Sequence, residues 1–223
     1  MHPGDFGPIY AETDMNRFPV EPWNTFSNIF FLILIIYLVK RTRLSFKRYP
    51  LVVLGLPILT VGFIGGTIFH ATRSSNLWLR MDFIPIFLLA LMAAIYFWKE
   101  VLGNYVRSTI VVLLLFILAR IPWWLAEIPI ATKIGIGYSS LAVTLILPML
   151  ILCRREHWIG LNKILLAFAS FGIAITCRTI DKTFGAELLP MGTHFLWHIF
   201  GAISVLFVFQ YVLEHFDREL LVT

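Results

Sequence analysis

Seven apolar runs dominate the chain, at residues 24–40, 50–70, 81–99, 107–125, 132–152, 161–178 and 191–213. Each is near the ~20 residues that an α-helix needs to cross a hydrocarbon core of about 30 Å. A backbone in lipid must satisfy its own amides, which leaves helices and closed barrels as the spanning elements. These runs are too long and too continuously apolar for barrel strands, which alternate over about 10 residues. The chain therefore reads as an all-α membrane protein, a bundle of seven transmembrane helices. The composition agrees: hydrophobic residues make up 59% and charged residues 14%, against about 25% charged in a soluble domain. Pro57, Pro85 and Pro148 fall inside spans and predict kinks.

No linker separates two domains, and no internal repeat or low-complexity tract interrupts the pattern. The expected organisation is a polar N-terminal segment (1–23), a transmembrane domain (24–213) and a short tail (214–223). The first segment carries Asp5, Glu12, Asp14 and Glu21 and no basic stretch leading into an apolar one, unlike a secretory signal. With the N-terminus outside, eleven Lys and Arg fall on the cytoplasmic side and seven outside. The dense first loop, KRTRLSFKR, agrees with this, so the C-terminus is expected in the cytoplasm. Cys153 and Cys177 then lie near opposite faces, too far apart to pair. The net charge of +5 sits in short loops, without the basic, aromatic-bearing face that nucleic acid requires. The chain reads as a multi-pass membrane protein of the plasma or inner membrane, endoplasmic reticulum or Golgi. No obligate protein partner is evident.

This topology gathers ionisable residues at one depth. His70 ends the second span, Asp82 begins the third, and His194 and His198 begin the seventh. The i, i+4 spacing of the last two puts both imidazoles on one helical face. Three histidines with one open position match a catalytic zinc site, and ionisable groups inside a membrane point to function. The alternative is a set of hydrogen-bonded interfacial histidines. Phe195, Leu196 and Trp197 separate the pair, so the helix lacks the Glu of the metalloprotease motif. His2, His157 and His215 are expected to be solvated.

Four short motifs lie in order along the chain: EPWNTFSN (21–28), GGTIFH (65–70), RMDFIP (80–85) and THFLWH (193–198). Together they resemble the alkaline ceramidases, and the wider group of seven-helix membrane hydrolases that includes the adiponectin and progestin receptors. The resemblance implies that His70, His194 and His198 hold Zn²⁺ and that Asp82 holds and activates the zinc-bound water. The implied activity is hydrolysis of the N-acyl bond of a ceramide-like membrane lipid to a fatty acid and an amine. One position departs: the family usually has serine four residues before its first histidine, and here Gly66 stands there, with Thr67 pointing about 100° away. A hydroxyl restored by Gly66→Ser is expected to speed turnover, unless Gly65 and Gly66 serve close helix packing.

Some members of the family also bind Ca²⁺ before the first helix. Glu12, Asp14, Asn16 and Glu21 offer oxygen ligands of the kind calcium prefers, and the same acidic residues equally suit capping of that helix. Ile9 stands where a further acidic ligand belongs. Asn24 and Ser27 are candidate helix-start or interhelical hydrogen-bonding residues. Arg178 and Asp181 face a lipid head group or pair with each other. Two other functions compete: a zinc-binding receptor or sensor of the adiponectin/progestin receptor type, and a transporter. The transporter is disfavoured because its polar groups would lie near mid-membrane within broken, repeated helices.

Overall fold

The structure, a computed structural model, describes residues 4–125, 127–128 and 130–222. Among the described residues every regular element is helical: α1 (Pro22–Ser27), α2 (Ile29–Thr42), α3 (Pro50–Thr72), α4 (Asn76–Leu102), α5 (Tyr105–Leu118), α6 (Ile121–Leu125), α7 (Ile130–Arg155), α8 (Leu161–Ile180), α9 (Phe184–Leu188) and α10 (His194–Val222). Six spans are long and apolar enough to cross a membrane: Pro22–Thr42, Pro50–Thr72, Asn76–Leu102, Gly135–Arg155, Leu161–Ile180 and His194–Arg218. The fourth expected span, 107–125, differs. It is split into α5, of 14 residues, and the short α6, and Pro122 has no amide to continue the ladder. At about 1.5 Å per residue, α5 covers roughly 21 Å.

The helix ends follow local chemistry. Asn104 and Ser75 cap α5 and α4 through side-chain oxygens that accept backbone N–H groups. α4 stops at Gly103, whose φ of 70° suits glycine. Pro57, Pro85 and Pro148 lie within continuous helices. α10 runs through 214–222, residues the sequence pattern set apart as a tail.

The outside of the bundle is apolar. Ile33, Leu54, Leu88, Leu113 and Ile173 are all exposed, as side chains in hydrocarbon are. The interior is apolar at one end, where Leu38, Val52, Phe97, Met149, Ile164 and Tyr211 pack together. At that end Arg41 of α2, together with Arg48 and Tyr49 of the loop that follows it, bonds Asp217 of α10. Nearby, Arg218 pairs with Glu156 and Lys163 with Glu214. His215 is buried there and contacts Glu156 at 3.0 Å, so it is not solvated as expected. Its long helix carries it inward against Tyr96 and Phe216. His157 is exposed, and His2 lies outside the described residues. Both cysteines are free.

Candidate metal centre

The other end of the bundle is polar inside. α3 and α4 approach closely because α3 presents glycine: a Cβ on Gly65 would lie 2.6 Å from the backbone carbonyl carbon of Met81. His70 lies at the end of α3, beside the start of α10. α10 starts at His194 because Asp181 caps it, accepting from the N–H groups of Thr193 (2.7 Å) and His194 (2.8 Å). The other Asp181 oxygen accepts from Ala11 N–H at 2.9 Å. Among the described residues Asp181 does not pair with Arg178. The Arg178 guanidinium instead stands over the rings of Tyr138 (5.7 Å) and Trp197 (5.3 Å).

His70, His194 and His198 converge, with ring centroids 4.8 to 5.4 Å apart. All are buried, at 0%, 1% and 3% exposure. Each offers a ligand nitrogen within 4.8 Å of the others, and among the described residues this is the group placed to hold a metal ion. Nitrogens about 3.3 Å apart would give the Zn–N distance of about 2.0–2.1 Å in a tetrahedral site, a difference covered by side-chain rotation.

Hydrogen bonding fits the metal as well. His70 donates Nδ1–H to Glu21 Oε2 at 2.5 Å, which leaves its buried Nε2 without a partner. His198 Nδ1 lies 3.0 Å from the Asn24 carbonyl and 2.7 Å from Ser27 Oγ. The carbonyl can only accept, so Nδ1 carries the proton and Nε2 is left as the atom that could ligate a metal. Both nitrogens of His194 are buried and unpartnered. Buried polar atoms are rarely left unsatisfied, and a metal ion satisfies all three rings at once. Neutral imidazoles oriented through their second nitrogen are the usual form of such ligands.

Asp82 sits in the second turn of α4, beside this cluster. Asp82, Asn28, Trp197 and His198 line a small cavity of about 30 Å³, enough for a water molecule. The Asp82 carboxylate packs against Gly66, where an added Cβ would lie 2.5 Å from Oδ1 and 3.1 Å from Asn28 Oδ1. The place expected to lack a hydroxyl donor is thus filled by the carboxylate. Thr67 bonds its own helix, at Phe63 O. Gly66→Ser is accordingly expected to displace Asp82 and slow turnover, by up to about 10²-fold for a misplacement near 1 Å, with bound metal unchanged. Metal content and rate measured on the same preparation check this. A faster serine variant would restore the missing-donor idea.

The acidic N-terminal residues do not gather around open space. Glu12 accepts from the N–H groups of Trp23 (2.9 Å) and Asn24 (2.6 Å), which is the capping alternative. Asp14 accepts from Asn16 N–H. Glu21 is engaged by Thr13, His70 and Arg73. Metal-loaded protein is therefore expected to show no rise in Tm on adding millimolar Ca²⁺ after chelation. A rise of several degrees would support a calcium site at Glu12, Asp14, Asn16 and Glu21.

Sequence reasoning missed Asp5, Tyr10, Asn28 and Arg73. Tyr10 is buried and stacks on His194, with centroids 3.7 Å apart and planes at 20°. One signal was available for Arg73: it ends α3 in the left-handed conformation, with φ 48°, where glycine is the ordinary choice. No family model matches the chain, and no curated protein matches it.

Proposed function

We propose that the protein is a zinc-dependent lipid amidase that hydrolyses the N-acyl bond of ceramide-like lipids to a fatty acid and a sphingoid-type amine. The chain's motifs, with their likeness to the alkaline ceramidases, suggest the reaction. The observation that carries it is the adjacency of a polar and an apolar cavity. The small cavity at His198 and Asp82 shares Phe31, Leu59, Ile86 and Leu89 with an apolar cavity of about 130 Å³ between the helices. An amide attached to a long acyl chain has this same polar end and apolar body.

Bound by His70, His194 and His198, zinc supplies Lewis acidity towards a carbonyl and towards water. Asp82 accepts a proton from the water that adds to the carbonyl carbon. It returns that proton to the amine nitrogen as the C–N bond breaks. Phe31, Leu59, Ile86 and Leu89 receive the acyl chain, and Arg178, beside Trp197 and Tyr138, faces the head group.

Metal analysis of purified protein, together with fatty-acid release from a panel of N-acyl lipids, tests the proposal. One zinc per chain and release from at least one lipid is the expected result. Zinc without release from any of them would favour the sensor reading. That second reading draws on one observation: the histidines are at most 3% exposed, with Tyr10 stacked on His194 and Glu21 bonded to His70. Zinc-free protein would remove both readings. The cationic end around Arg41, Arg48 and Arg218 lies opposite the histidines, and we place it in the cytoplasm. A reporter fused after Thr223 should behave as cytoplasmic; a signal from the other side of the membrane reverses the orientation.

A further inference from the structure

The C-terminal carbonyls of α3 have no partners in their own helix, and the N-terminal segment supplies them. Glu21 N–H donates to His70 O (3.1 Å), Val20 N–H to Ala71 O (2.9 Å) and Gly4 N–H to Arg73 O (2.9 Å). The segment is thereby stitched to the helix end that carries a metal-ligand histidine. Arg73 closes the stitch. Its guanidinium donates to Asp5 Oδ2 (2.9 Å), Asp5 Oδ1 (2.7 Å), Glu21 Oε1 (2.6 Å), Pro8 O (3.0 Å) and Gly7 O (3.3 Å).

The side chains of Arg73, Asp5 and Glu21 are fully buried. Such a group is costly to desolvate and survives through its partners. The Arg73 backbone also stays in a conformation that L-residues rarely adopt, so the position keeps its side chain against local preference. Gly7 leaves room for it: a Cβ there would meet Asp5 Oδ1 at 2.8 Å and Phe69 at 2.9 Å. The other oxygen of Glu21 accepts from His70 Nδ1.

We propose that Asp5, Arg73 and Glu21 form a buried relay that positions His70. Asp5 and the carbonyls of Gly7 and Pro8 fix the guanidinium. The bidentate-capable guanidinium fixes Glu21. Glu21 fixes the tautomer and the ring plane of His70, so that Nε2 faces His194 and His198. The three are positioning residues, and residue 5 acts on the metal centre without touching it.

The relay rests on the metal-binding reading above, and its test separates the two. Zinc affinity is measured by chelator competition on wild type, Glu21→Gln, Asp5→Asn and Arg73→Ala, alongside Tm of the metal-free proteins. The isosteric Glu21→Gln and Asp5→Asn keep shape and remove charge. The expected result is an affinity loss of about 10–100-fold for each, typical of removing an outer-shell partner. Methylguanidinium should restore affinity to Arg73→Ala, and where that variant fails to fold, Arg73→Lys is read instead: it keeps the charge, loses the fork and should bind zinc more weakly. A purely structural clamp would lower Tm and leave the affinity of every folded variant at the wild-type value, which overturns the relay alone. Wild type that binds no zinc overturns the metal reading and the relay with it.

Discussion

His194→Ala and His198→Ala are each expected to abolish metal binding and, with it, the proposed amide hydrolysis. A four-coordinate site with an open position relies on three protein ligands. His70, His194 and His198 are the group placed to supply them, and among the described residues no fourth His, Cys, Asp or Glu belongs to that group. The loss should exceed the ~10–100-fold that follows from removing an outer-shell partner. The two variants should also differ. His198 is held by Asn24 O and Ser27 Oγ, so its removal breaks those two bonds, although Asn24 O still accepts from Ser27 Oγ and Asn28 Nδ2. Both ring nitrogens of His194 lack hydrogen bonds, and its ring rests on Tyr10. Metal-free His194→Ala should thus be the less destabilised of the two with respect to hydrogen bonding. Metal content by elemental analysis and Tm after chelation decide this. Full zinc in either purified variant would mean that the histidines are not its ligands.

Asp82→Asn should separate chemistry from metal binding. Asp82 is outside the histidine group but borders the same small cavity. Asparagine preserves the packing against Gly66 and removes the proton acceptor. General acid–base catalysis is worth about 10²–10⁴-fold, so kcat should fall by that factor, about 2.7–5.4 kcal/mol of barrier, at unchanged zinc stoichiometry. KM should move little, because the proton is transferred only in the reacting complex. Loss of zinc together with loss of rate would make Asp82 part of the metal's support. An unchanged rate would remove it from the chemistry.

Much of this was legible in the residues. Hydrocarbon thickness sets the length of a spanning helix, so apolar runs alone located six of the spans, Pro22–Thr42 and His194–Arg218 among them. The 3.6-residue period alone put His194 and His198 on one face. The break between α5 and α6 was less legible, because 107–125 is apolar throughout and only the proline at 122 marks it.

Whether three histidines from α3 and α10 meet at one point depended on how the helices pack, which neither helix's own sequence reports; the glycine at 65 bears only on the packing of α3 against α4. The roles of the acidic residues were wholly tertiary. Glu12, Asp14 and Glu21 look alike in sequence. One caps α1, one closes a local turn, and one is buried between His70 and Arg73. A carboxylate's role is set by whichever donor the fold brings within about 3 Å. For Glu21 those donors lie 49 and 52 residues away. Periodicity and composition report only a helix's own faces, so what the sequence determined by itself was where helices cross and which face carries imidazoles. The pairing of Asp5 with Arg73, and of Arg73 with Glu21, existed only once the N-terminal segment had folded onto the end of α3.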